Sequence, residues 1–248
     1  MERVRGEFGA HIHPLRWSPH DSRWVHDFSD TGLTNHCIDV SFDAYVKAFG
    51  ERPIRHRYGV GFLNDDLVAA LDERGVLVDL TPGPGTRPRA DNTRPDVASG
   101  VDVAPRTGPT TDCSRMPRRR YRPSFEDFRV AGTDRRREVA LLPLSSALVR
   151  PVQPRWRQAA GVVKRRSWPE PRVMRMAGWA HSPQLFWDRA ARHIRASRRP
   201  FLSLALRTDA PGSGDATRTW ALLEHLPRHP LARRLRFVDP VAALDDLL

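Results

Sequence analysis

The segment Gly6-Glu-Phe-Gly-Ala-His-Ile-His-Pro14 holds the side chains best placed to do chemistry, His11 and His13. Glu7 to His13 reads as a short strand, and residues two apart on a strand project from the same face. Both imidazoles then point the same way, and two neutral ring nitrogens side by side can share one zinc ion. The pair alone is a modest signal, because ten histidines in the chain make one His-x-His unremarkable. Solvated loop histidines would give the same pattern. Other chemistries lack their residues: no phosphate-binding glycine loop, no dinucleotide glycine pattern and no Ser-His-Asp order is present. Cys37 and Cys113 make neither a disulfide framework nor a zinc knuckle and read as incidental thiols. Trp17, Trp24, Trp179 and Trp187 could stack on sugar rings, but tryptophan is more often a core residue, and that is the expectation for them.

The elements that must hold these residues follow from patterning. Phe42, Tyr45, Val46 and Phe49 form one apolar stripe, which predicts a helix over Ser41–Phe49, capped by Ser41 and closed by Gly50. A second helix starts at Asn64, whose successors Asp65 and Asp66 favour the positive end of the dipole, and stops at Gly75. Val76–Val78 is a short buried strand. From Thr81 to Pro117 Pro, Gly, Thr, Arg and Asp dominate, and a long irregular or disordered segment is expected. Glu138–Leu144 is strand-like, and Pro151 to Gly178 is irregular and basic. Ser182-Pro183 opens a helix through Ile194, Phe201–Leu206 is the best strand, and a helix carries Leu222, Leu223 and Leu226. A strand at Leu235–Val238 and a last helix from Asp239-Pro240 close the chain. Strands alternating with helices at this spacing predict a single α/β domain with parallel strands and no internal repeat.

Composition narrows the partners. The 248 residues suffice for a substantial core, and the net charge is +12. Lys47 and Lys164 are the only lysines, so the charge is almost all arginine. No basic-region helix, zinc finger or aromatic RNA-binding signature accompanies it, so no nucleic-acid partner is expected. No apolar run approaches the roughly 18–20 residues that span a bilayer. The first residues hold no apolar signal-peptide core either, and a cytoplasmic chain with no membrane span is expected.

In order along the chain, four stretches resemble the motifs of the polysaccharide deacetylase family, the nodulation-type carbohydrate deacetylases. Gly6–Pro14 resembles the Gly-small-His second motif. Arg55-His-Arg-Tyr-Gly-Val-Gly61, with the Asn64 helix and Gly75–Asp79, resembles the arginine-bearing third motif. Tyr121–Phe128 resembles an aromatic segment of some members. Leu204–Asp209, followed by the stretch to Val238, resembles the closing strand, helix and strand. The resemblance implies a distorted (β/α) barrel holding one divalent metal, zinc, and hydrolysis of N- or O-acyl groups on a carbohydrate or glycan substrate. His11 falls on the first metal-binding histidine. The second usually lies four residues on, where this chain has Leu15, so His13 takes its place. Arg57, rather than Arg55, would orient the catalytic aspartate. The family's Asp-Asp motif, on a first strand ahead of the histidine motif, has no counterpart in the five residues before Gly6. The expectation is therefore a barrel missing its first strand, N-terminally incomplete or degenerate, with impaired activity. Asp209 stands where the family has a late histidine; it is a candidate catalytic group, or equally the partner of Arg207 in a structural ion pair. A non-catalytic carbohydrate-binding or structural remnant of the same fold is the alternative.

Overall fold

The computed structural model describes residues 8–20, 22–88, 103–107, 110–149, 172–175, 182–196, 200–205 and 214–247. Its centre is a sheet of four parallel strands in the order β1 (Ala10–Ile12), β4 (Arg55–Tyr58), β5 (Val78–Asp79) and β7 (Ala140–Leu141). Between β1 and β4 the chain makes an antiparallel hairpin, β2 (Leu15–Ser18) and β3 (Arg23–Asp27), then helix α1 (Thr31–Phe49). Helix α2 (Asp65–Glu73) joins β4 to β5. The fold is thus mixed α/β with a parallel sheet.

The register decides which side chains share a face. His11 pairs with Arg57, Arg55 with Val78, and Val78 with Ala140, so these five occupy one face. Ala10, Ile12, His56, Tyr58, Asp79 and Leu141 occupy the other. The second face packs on Ile38 and Phe42 of α1 and Leu67, Val68 and Leu71 of α2, the main core. Around Val78 and Ala140 the first face is covered by Leu142 and Leu244, with Leu80, Phe201 and Val241 packed against them. Arg55 reaches over this layer to Asp239 at 2.7 Å.

Helix α1 begins ten residues before Ser41. Asp30 is its cap, its carboxylate accepting from Leu33 N at 2.9 Å, and Ser41 lies mid-helix. The buried stripe is Thr34, Ile38 and Phe42; the Thr34 hydroxyl is satisfied by the carbonyls of Asp30 and Thr31 at 2.9 and 3.0 Å. Gly50 supplies the left-handed exit expected of it, at φ 77°. Helix α2 starts as read, with the Asn64 side chain accepting from Leu67 N at 2.8 Å.

The stretch expected to be irregular, 81–117, carries a strand. β6 (Val103–Thr107) runs parallel to β3, and Cys113 and Met116 enter the main core. Another strand pair, β8 (Ser146–Val149) and β9 (Arg172–Arg175), is antiparallel, and β9 falls inside the second expected irregular stretch. Of the expected strand Phe201–Leu206, residues 201–204 stand outside any strand, Ala205 forms an isolated bridge and Leu206 lies outside the described residues; Ser203 bonds Ser145, at 3.0 Å through its carbonyl and 3.1 Å through its N–H. Leu235–Val238 is coil, with Phe237 82% exposed. Helices α3 (Pro183–Arg195) and α4 (Gly214–His225) form a second cluster around Phe186, Trp187, Leu222 and Leu226. Ser182 caps α3 as expected, and the final helix is a 3-10 turn, Ala242–Leu247.

Candidate functional site

His11 sits in the middle of β1, and His13 lies just past its end. Their Nε2 atoms are 3.1 Å apart. Two nitrogens each about 2.0–2.1 Å from a tetrahedral zinc stand roughly 3.3 Å apart, so the spacing suits a shared ion. The same distance serves as an N–H···N hydrogen bond between neutral rings. His13 Nδ1 lies 3.0 Å from Nε2 of His26 on β3, making a row of three imidazoles, His11, His13 and His26. His26 is buried, while His11 is partly withdrawn from water and still reaches solvent. Among the described residues no group of three or more His, Cys, Asp or Glu is arranged to hold a metal ion. His11 and His13 bring two ring nitrogens together, with His26 behind them.

The electrostatics favour a neutral His11 ring. Partial removal from water first, then electrostatic repulsion from His13, Arg57 and His56, push the His11 imidazole down from 6.5 to about 4. A ring neutral at pH 7 is the form that ligates. Arg57 is the register partner of His11, on the same face. Asp209, the other expected catalytic residue, lies outside the described residues.

Three features escaped the sequence reading. Gly59 follows β4, and a Cβ there would stand 2.3 Å from Cε1 and Nε2 of His13, so only glycine leaves room for that ring. Gly9, immediately before β1, is held to glycine in the same way, because a Cβ there would meet the Arg55 carbonyl oxygen at 2.8 Å. Behind the sheet, His56 Nδ1 meets Asp79 Oδ2 at 2.6 Å with both side chains fully buried. Asp79 also accepts from Thr81 N and Oγ1 at 2.9 and 2.8 Å, and Thr81 Oγ1 accepts from Tyr58 N at 2.7 Å. This network clamps the end of β4 immediately before Gly59. Its only sequence signal was an Asp ending a buried strand, which periodicity does not mark.

The tryptophans divide. Trp187 is buried, as expected, and its indole N–H donates to Leu222 O at 3.0 Å. Trp17 and Trp24 are 48% and 44% exposed, against expectation, and pair with each other across the β2–β3 hairpin. Trp179 lies outside the described residues.

Comparison of the chain with protein-family models, curated proteins and solved structures finds no match.

Proposed function

We propose that the chain is a polysaccharide-deacetylase-like protein, built on a (β/α)-barrel type of scaffold, that takes a carbohydrate ligand and holds one divalent metal, zinc, through His11 and His13. Acyl-group hydrolysis is impaired in it. The observation that carries this reading is the convergence of the two Nε2 atoms at 3.1 Å.

A divalent ion there would polarise an acyl carbonyl and acidify a bound water. His11 presents a neutral ring, held so by partial removal from water and by repulsion from its neighbours. In the ligating arrangement His13 keeps its proton at Nδ1 and donates it to His26 Nε2, which aims its own Nε2 lone pair beside that of His11. Arg57 sets a permanent positive charge near His11, suited to an oxyanion or a carboxylate. The carboxylates on the neighbouring strands do not offer a base. Asp27 of β3 is buried, accepts from Ser29 N and Oγ, and pairs with Arg16. Asp79 of β5 is committed to His56 and Thr81. A positioned general base is worth about 10²–10⁴-fold, and neither of these two carboxylates supplies it.

Calorimetric titration of the metal-free chain with zinc tests the ligands. Binding far weaker than at a three-ligand site is expected, and it should vanish in the His11→Ala, His13→Ala double variant. Tight stoichiometric binding that survives both changes would refute the assignment. With added zinc or cobalt, acetate release from acetylated amino-sugar oligomers should not exceed the buffer control. Release abolished by His11→Ala would instead reveal an intact deacetylase, with Asp209 the first residue to test as its base. Glycan binding without turnover is the second reading, favoured by the exposure of Trp17 and Trp24.

A further inference from the structure

We propose that the imidazole site takes an anionic ligand, one bearing a carboxylate or a phosphate group, held by Arg57 together with a divalent ion at His11 and His13. The proposal rests on the metal reading of the two imidazoles and names the ligand class which that reading leaves open.

Charge decides the class. An imidazole ligates as the neutral ring and brings no negative charge, so an ion at His11 and His13 keeps both of its own. Arg57 adds a third. It is the parallel register partner of His11, on the same face of the sheet, with the two backbones about 4.8 Å apart. The side chains that act electrostatically on the His11 ring, His13, Arg57 and His56, all oppose further positive charge there.

The neighbouring carboxylates do not offset this charge. Asp27, next to His26 in sequence, is buried, accepts from Ser29 and pairs with Arg16. Asp79 lies on the opposite face of the sheet, bonded to His56 and Thr81. Among the described residues no group of three His, Cys, Asp or Glu is placed to hold an ion, so no carboxylate there joins the two rings as a ligand.

Coordination points the same way. Zinc takes four ligands, and two imidazoles leave the other positions to atoms from outside the chain. An uncharged carbonyl or hydroxyl there would leave the ion and Arg57 repelling each other unrelieved. An oxyanion relieves both at once, and the planar fork of a guanidinium matches carboxylate and phosphate oxygens alike. His11 reaches solvent and Arg57 is half-buried, so the face is accessible to such a group. A carbohydrate bound here would therefore be an acidic one.

The test is calorimetric titration of the metal-free full chain with zinc at constant ionic strength. It is run in buffer alone and with acetate, methyl phosphate or an uncharged N-acetylglucosamine oligomer. Acetate or methyl phosphate should tighten zinc about tenfold or more, and the one that does so identifies the oxyanion. The oligomer should not. Arg57→Gln should bind zinc alone more tightly than the parent, because a repelling charge is gone, yet lose most of the gain from the anion. Arg57→Lys should keep that gain. A merely structural loss would weaken both titrations together. With cobalt in place of zinc, the effective anion should change the visible absorption. The proposal is overturned if neither anion tightens zinc, if the oligomer does so equally, or if Arg57→Gln keeps the parent's gain. The parent titrations decide even where Arg57→Gln fails to fold. Zinc binding indifferent to anions sinks this proposal alone; no zinc binding with or without them sinks the metal reading as well.

Discussion

Gly59 and His13 are a matched pair: the imidazole fills the space a methyl group would occupy. Gly59→Ala should therefore destabilise the chain by about 1–3 kcal/mol and weaken zinc binding. Combining it with His13→Ala should recover most of the stability loss, a coupling measurable by urea unfolding of the four chains. His11 predicts a pH effect. Its folded value, about 4, lies below the ordinary 6.5, so the unfolded chain takes up the proton first. Its contribution is whole above pH 6.5 and is lost as the pH falls through about 4. In metal-free buffer, His11→Gln should lose less stability than the parent between those two values. A parent curve that falls no faster than the variant would refute this. His11 and His13 were legible because a two-residue period on a strand needs only local sequence. His26 was not, because it arrives through a hairpin whose turn places Ser22 at φ 51°, a left-handed position without the usual glycine or asparagine.

Among elements, helix α1 shows how polar sequence hides a start. Thr31, Gly32, Thr34 and Asn35 are poor helix formers, and one of the three buried positions is a threonine, so the apolar stripe becomes visible only later. Asp30→Ala should cost about 1 kcal/mol as a lost cap, while Ser41→Ala should be neutral or slightly stabilising; thermal unfolding of the two variants separates them. Helix α2 was legible in full because its cap, acidic first turn, apolar face and glycine exit all agree. The alternation in Phe201–Leu204 was also real, and it serves packing on two sides. Leu202 and Leu204 face the α3–α4 cluster, and Phe201 faces the layer around Val78. A period of two reports two-sided burial, and only partner strands turn it into a sheet.

Over the whole molecule, the tie between Arg55 and Asp239 fixes the C-terminal layer on the sheet. Burial alone would raise the Asp239 carboxyl; the Arg55 guanidinium and the N–H groups of Val241 and Ala242 outweigh it and hold the group below its ordinary value. Its contribution is thus full above the usual carboxylate range and fades as the pH drops through the lowered value. Asp239→Asn should cost about 1–3 kcal/mol at neutral pH, and the gap to the parent should close in acid. An equal gap at both pH values would show that the charge is irrelevant.

The same tie spans 184 positions of sequence. A ribosome adding about 5–20 residues per second delivers Asp239 roughly 10–40 s after Arg55. Throughout that interval Val78, and later Ala140, lie on a sheet face whose C-terminal cover has not yet been made. A guanidinium on that face opposes its adhesion to other nascent chains. The contact that anchors Arg55 is thus among the last of the fold to become available during synthesis.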